Sequence, residues 1–302
     1  MVSKQFYGVS TALITPFTDG AVDYATLEKL VQRQIVEGID GIVSVGTTGE
    51  SPTLSTEEHI NVIKRTVECV AGKVPVIAGT GANSTTEALE LTKAAEKVGA
   101  DAFLQVAPYY NKPSQEGVYR HFAAIAECTE KPIILYSIPG RCGIEIAPET
   151  ILRLNDAYPH ICGVKESGGS CDRVSKICAL LAGRDFVVVS GEDNLVLPYM
   201  SVGAKGVICT TSNLLPQEIV RMVTLALNND FAGAGLVHEK YFPLFQALFI
   251  EPNPVPVKYA LQKLKIIPSG EVRLPLCEMT TANQKILDGV LSSLGLTPKK
   301  GS

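Results

Sequence analysis

Lys165 ends the run His160-Ile161-Cys162-Gly163-Val164-Lys165 and is followed by Glu166 and Ser167. A short apolar run carries this lysine away from water, a poor place for a charge. Desolvation disfavours an ammonium, so a lysine in such a setting turns toward the neutral, nucleophilic amine. Imine formation with a carbonyl substrate is the first chemistry this suggests. The plainer alternative is a lysine that snorkels to the surface or pairs with Glu166, the commoner fate of a lysine on a strand. Aldol-type chemistry has two usual solutions, a divalent metal or an imine-forming lysine. The eight cysteines, at 69, 128, 142, 162, 171, 178, 209 and 277, include no C-x-x-C pair, and most have apolar neighbours, so buried free thiols are expected. His59, His121, His160 and His238 are equally scattered, without H-x-H or H-E-x-x-H spacing. No metal site and no cofactor are expected, which leaves the lysine.

Something must hold that amine in place. Short β-branched runs recur at Val9 to Thr15, Gly41 to Val45, Pro75 to Gly79, Ala102 to Val106, Pro132 to Ser137, Ile161 to Lys165, Phe186 to Ser190 and Gly206 to Thr210. They are apolar throughout instead of alternating, as strands of a parallel sheet buried on both faces are. Amphipathic stretches lie between them. Tyr24 to Glu37 puts Leu27, Leu30, Val31 and Ile35 on one face, and Thr56 to Val70 does the same after a Ser55-x-x-Glu58 cap. Further helices start near Ser84, Ser114, Pro148 and Ser170, while Gly38, Gly72 and Gly99 end the helices before them. Eight strands with intervening helices predict an α/β fold, a (β/α)8 TIM barrel. A doubly wound sheet would want a glycine-rich loop after the first strand, and Leu13-Ile14-Thr15-Pro16-Phe17 is not one. After about residue 214 only helices are expected, at Pro216 to Leu227, Phe231 to Phe249, Pro256 to Leu264 and Ala282 to Leu294. The expected division is a catalytic barrel over 1–225 and a C-terminal helical extension over 226–302.

A barrel of this type presents its reacting groups at the C-terminal ends of its strands. Strand two ends in Gly46-Thr47-Thr48-Gly49-Glu50-Ser51, where glycines admit a ligand to the backbone and hydroxyls and N–H groups can hold a carboxylate. Strand four ends in Pro108-Tyr109-Tyr110-Asn111, strand five in Tyr136-Ser137-Ile138-Pro139-Gly140-Arg141, and strand six at Lys165. Lys205 starts its strand, and Lys29, Lys64, Lys93 and Lys97 fall on helix exteriors. Taken singly, the glycine loop could be a plain turn, the tyrosine pair ordinary packing, and Arg141 a surface charge. Taken together they put an amine, phenols for proton transfer and an arginine for a carboxylate on one rim.

With 302 residues, 46% hydrophobic and 19% charged, the chain can bury one large core, and a formal net charge of -4 without a basic block argues against a nucleic-acid surface. Met1 to Gln5 carries no apolar signal core, and no apolar stretch is long enough to span a bilayer, so a cytoplasmic protein without membrane contact is expected. Lys299-Lys300-Gly301-Ser302 reads as a solvated tail or as added residues.

The strand-end motifs Gly46-Thr47-Thr48-Gly49-Glu50-Ser51, Pro108 to Pro113, Leu135-Tyr136-x-x-Pro139-Gly140-Arg141 and Gly163-Val164-Lys165-Glu166 resemble those of the dihydrodipicolinate synthase family, also called 4-hydroxy-tetrahydrodipicolinate synthases. The resemblance runs from about Gly8 to Leu294 and includes Glu251-x-Asn253-Pro254-x-Pro256-Val257-Lys258. Lys165 and Tyr136 are shared with the wider pyruvate-dependent class I aldolases, and Arg141 points to the synthases over N-acetylneuraminate lyase. The resemblance implies that Lys165 forms an imine with pyruvate and that the derived enamine attacks L-aspartate 4-semialdehyde. It implies that Tyr136 shuttles protons with Thr47 and with Tyr110 of a neighbouring subunit, hence a homotetramer or homodimer. It further implies that Thr48, Gly191 and the backbone near Ile208 hold pyruvate and that Arg141 pairs with the semialdehyde carboxylate. An L-lysine feedback site is partly matched, by Ser51, His59, Asn83, Glu87 and Tyr109, with Thr56 replacing a frequent histidine and Pro52 an alanine. Ser137 stands where the family usually has asparagine, and Cys142 where threonine is common. Two alternatives are another pyruvate aldolase acting on a sugar-derived aldehyde or keto-deoxy acid, and a noncatalytic keto-acid sensor. The joint presence of Lys165, Tyr136, Tyr110 and Thr47 disfavours the sensor.

Overall fold

Each β-branched run forms a strand: β1 (Gly8–Ala12), β2 (Gly41–Ser44), β3 (Val76–Gly79), β4 (Ala102–Val106), β5 (Ile133–Ser137), β6 (Ile161–Glu166), β7 (Val187–Ser190) and β8 (Gly206–Cys209). All are parallel, each pairs with its neighbours in sequence, and β1 closes on β8 with Gly8 opposite Gly206 and Thr11 opposite Cys209. The result is the closed eight-stranded barrel that the sequence predicts, in a computed structural model that describes residues 2–298. The tail Lys299 to Ser302 lies outside the described residues.

The unbroken apolar runs are explained by two core layers. One set of strand residues, among them Val43, Ile77, Leu104, Ile134, Val189 and Ile208, fills the barrel interior; Phe6, on a short turn over Val2–Phe6, joins that cluster. The alternate set, among them Ile42, Val76, Phe103, Leu135, Val164 and Val188, packs outward against the helices. With both faces out of water, each valine contributes about 1.5–3 kcal/mol whichever way it points, so alternation is not selected.

The outer layer holds α1 (Tyr24–Val36), α2 (Thr56–Val70), α3 (Thr85–Lys97), α4 (Gln115–Ala126), α5 (Pro148–Ala157), α6 (Cys171–Leu180), α7 (Val196–Ser201) and α8 (Pro216–Leu227). Their starts are the predicted caps. Ser55 and Glu58 form a reciprocal capping box, Ser84, Ser114 and Ser170 each accept from a backbone N–H three residues on, and Pro148 and Pro216 open their helices. Gly38, Gly72 and Gly99 take left-handed φ values of 85°, 73° and 96° just past α1, α2 and α3. Three more helices follow, α9 (Phe231–Ala247), α10 (Val255–Lys263) and α11 (Thr281–Ser293), with α9 packed on α7, α8 and α11.

Three details depart from expectation. The first strand stops at Ala12, short of Thr15, and the chain then makes a small antiparallel ribbon, Phe17–Thr18 against Ala21–Val22. The helix after β7 has only six residues, too few to show a periodicity. Of the eight cysteines, all free, only Cys142, Cys162 and Cys209 are buried, while Cys69, Cys128, Cys171 and Cys178 are half-buried and Cys277 is exposed. Among the described residues no helix is long and apolar enough to cross a membrane.

Candidate active site

Residues on β6 alternate between barrel interior and helix layer, so consecutive side chains part company. Cys162 faces in, the register against β5 slips by one residue between Ile161 and Gly163, and past that bulge Val164 faces out. Lys165 therefore faces into the barrel, 6% exposed, at the end of the strand. Glu166 goes the other way: its Oε2 lies 3.0 Å from Arg173 Nε on α6, and its Oε1 accepts from Gly168 N at 2.8 Å. Burial pushes the Glu166 carboxyl up, and the Arg173 guanidinium opposes that shift. The plain alternative of a Lys165–Glu166 pair is thus ruled out by strand geometry.

Tyr136 on β5 is the register partner of Lys165, and the lysine Nζ sits 4.0 Å from the centroid of its ring. On the other side the lysine stem rests on Gly191, just after β7. A Cβ there would stand 2.8 Å from Lys165 Cε and 2.0 Å from Ser167 Oγ, so any side chain at 191 would displace the amine. Above them lies a cavity of about 110 Å³, lined also by Thr47, Thr48, Arg141, Glu192, Thr210 and Asn253. Ile208 does not line it but lies in the interior cluster with Tyr136.

The loop after β2 brings the two threonines. Val45 and Glu50 bracket it with left-handed φ values of 56° and 55°, a conformation that costs a non-glycine residue on the order of 1–3 kcal/mol. Thr48 Oγ1 accepts from Asn253 Nδ2 at 2.9 Å and lies 3.4 Å from Thr210 Oγ1. Thr210 and Thr211 are fixed in turn by buried Asp193, whose carboxylate accepts from both backbone N–H groups and from Thr211 Oγ1 at 2.6 Å. Arg141, on the helical turn Pro139–Cys142, lines this cavity and donates to Asn253 O at 3.5 Å.

A second, larger cavity of about 360 Å³ adjoins the first and shares Thr47, Ile138 and Arg141 with it. Ser51, His59, Glu87 and Tyr109 line it, along with Pro52, Leu54 and Thr56. Asn83 does not, but its Nδ2 donates to Tyr109 O at 3.2 Å beside the cavity. Burial lowers the His59 pKa, opposed by the Gly79 carbonyl 2.7 Å from its Nε2. Tyr110 stands apart from both cavities, 88% exposed, on a backbone with φ 71°.

A profile of the dihydrodipicolinate synthetase family matches residues 5–294. The chain belongs to that family. It is 50% identical over 291 residues to the 4-hydroxy-tetrahydrodipicolinate synthase of Persephonella marina, covering 96% of this chain and 99% of that one. The crystal structure of dihydrodipicolinate synthase from Aquifex aeolicus superposes with a TM-score of 0.95 at 46% identity, covering 98% and 100% of the two chains. The structure of the Cyanidioschyzon merolae enzyme with lysine bound has a TM-score of 0.93 at 41% identity, covering 97% and 99%.

For this member of the dihydrodipicolinate synthetase family the sequence left Glu192, Asn253 and Lys258 without a role. Glu192 is half-buried in the cavity wall, and burial and the adjacent Asp193 push its carboxyl up to about 7, against the pull of Lys165 and Arg141. It lies two residues past the end of β7, so the strand-end rule that found Lys165 covers it too. Asn253 sits within a quoted motif, yet nothing local marks it as a partner of Thr48. Lys258 is fully buried, and its Nζ donates to Glu50 Oε1 at 2.5 Å and Glu271 O at 2.7 Å. Burial lowers its pKa to about 8, while Glu50 acts in the opposite sense.

Proposed function

We propose that this chain is a 4-hydroxy-tetrahydrodipicolinate synthase, a lyase that joins pyruvate to L-aspartate 4-semialdehyde through an imine on Lys165, in the diaminopimelate route to L-lysine. The observation that carries this is the register pairing of Lys165 with Tyr136 on the floor of one cavity, with Arg141 in its wall. The Lys165 amine attacks pyruvate C2, and loss of water leaves an iminium. Its positive nitrogen makes the methyl protons acidic, and loss of one gives an enamine. The enamine carbon attacks the semialdehyde carbonyl, which takes a proton and becomes a hydroxyl. The substrate's own amine then adds to the former C2, displaces Lys165 and closes the ring.

Proton transfers fall to Tyr136 with Thr47, completed by Tyr110 from a second copy of the chain. The outward, left-handed placement of Tyr110 supports a homo-oligomer, a dimer or tetramer, in which that phenol enters a neighbour's cavity. Thr48, with Gly191 and the backbone near Ile208, holds pyruvate, and Arg141 pairs with the carboxylate of the semialdehyde. Residues 226–302 are read as a helical extension of the barrel over 1–225. Net negative charge and the lack of a basic block support a protein that takes no nucleic acid, and its proposed place in amino-acid biosynthesis supports a cytoplasmic location.

The test is initial rate with pyruvate and three aldehydes in competition. L-Aspartate 4-semialdehyde is expected to be consumed far faster than N-acetylmannosamine or glyceraldehyde; a preference for either sugar-type aldehyde contradicts the assignment. The larger cavity is read as an L-lysine feedback site of Ser51, His59, Asn83, Glu87 and Tyr109, supported by its adjacency to Thr47 and Arg141. Titration of L-lysine is expected to lower the rate, and an unchanged rate at millimolar ligand contradicts that role.

A further inference from the structure

Thr47 and Thr48 sit between two residues in the left-handed region, Val45 and Glu50. Such a loop keeps its shape only if its surroundings hold it there. Glu50 shows what does so at one end. Its side chain is buried and lines neither of the two cavities described above. Oε1 accepts from Lys258 Nζ on α10 at 2.5 Å, and Oε2 accepts from the Arg273 backbone N–H at 3.1 Å. Lys258 also donates to Glu271 O at 2.7 Å, and Arg273 reaches back to the Thr53 carbonyl and the Glu58 carboxylate, at 3.1 Å and 2.6 Å. Phe17 lies beneath both cations, 4.1 Å from Lys258 Nζ and 4.4 Å from Arg273 Cζ. The same C-terminal segment holds the loop a second time, two residues earlier, through Asn253 and Thr48. A buried ion pair is no proof of stability, since two apolar side chains of similar size often serve as well. Its placement is what gives it a role here.

We propose that Glu50 and Lys258 are positioning residues for the reaction: their buried pair ties the β2 loop to α10 and so sets Thr47 and Thr48 against Lys165. This rests on Lys165 being the amine that takes pyruvate. The C-terminal helices thereby contribute to catalysis without touching substrate. They do so across 208 residues of sequence.

The test uses two variants and one control. Glu50→Gln keeps the shape of the side chain and removes its charge; E50Q/K258M removes both charges and leaves neither unpaired. Both are checked for folding by thermal melting, then assayed for pyruvate KM, kcat and the rate of borohydride trapping with pyruvate. A loop displaced by even an ångström costs about tenfold to a hundredfold in reactions that depend on orientation, so a rise in pyruvate KM and a fall in trapping rate of that size are expected in folded protein. The effect of Glu50→Gln is also expected to shrink to near nothing in a Thr48→Val background, because the loop acts through that hydroxyl. Should E50Q/K258M melt below the assay temperature, Glu50→Gln alone carries the test. Folded variants with wild-type KM and trapping rate, or full additivity with Thr48→Val, overturn the proposal. Failure of the wild-type chain to trap pyruvate on Lys165 would instead overturn the function on which it rests.

Discussion

Lys165 and Lys258 are both taken out of water at the C-terminal side of the barrel, both beside an aromatic ring, but their partners differ. Lys258 meets the Glu50 carboxylate at 2.5 Å and the Glu271 carbonyl at 2.7 Å. Lys165 meets the face of Tyr136 at 4.0 Å, and its adjacent carboxylate, Glu166, is turned through the strand toward Arg173. Burial alone therefore does not make a lysine a nucleophile. A buried lysine given a counter-charge becomes a cross-link, and one whose neighbouring acid is turned away becomes an available amine that faces an open cavity.

That contrast is sharpened most by stability. Lys258→Met leaves the Glu50 carboxylate buried without its cation and is expected to cost about 3–5 kcal/mol of folding free energy. Lys165→Met removes an amine that makes no ion pair at contact distance and fills the space with apolar atoms, so its melting temperature should stay at or above that of the wild type. Thermal melting of the two variants side by side checks this; equal losses would mean that the two lysines do not differ as described.

A smaller effect comes from Glu192, the carboxyl that shares the cavity with Lys165. Its pKa in the folded chain is raised from 4.5 to about 7, chiefly by burial. Between those values the folded state holds a proton that the unfolded state has released. The stability it contributes is therefore full below about pH 4.5 and is lost as pH rises through about 7. Glu192→Gln, which stays neutral, should gain melting temperature relative to wild type on going from about pH 5 to about pH 8. A difference that does not change with pH would remove the shift.

Much of this was legible in the sequence because the signals are local. Strands buried on both faces must be apolar throughout, and Val187-Val188-Val189 can be read as nothing else. Ser55 with Glu58, and Ser84, Ser114 and Ser170, mark helix starts because each bonds the turn it begins. Lys165 was legible for the same reason: its apolar approach and its place at a strand end are both written within six residues. What escaped is what depends on distant partners. Lys258 looks like an ordinary helical lysine until Glu50 is brought to it from 208 residues away. Asn253 carries no local sign that it will bond Thr48, and α7 is too short to have a pattern. Tyr110 is a further case, since the backbone turns it out to 88% exposure and its proposed use needs a second copy of the chain.

The two lysines can be set against each other in one measurement. The chain is incubated with pyruvate, reduced with borohydride, digested and mapped by peptide mass, with the peptides that carry Lys165 and Lys258 both followed. The structure predicts one adduct, on Lys165, and an unmodified Lys258. An adduct on Lys258, or no adduct on either lysine, would contradict the account.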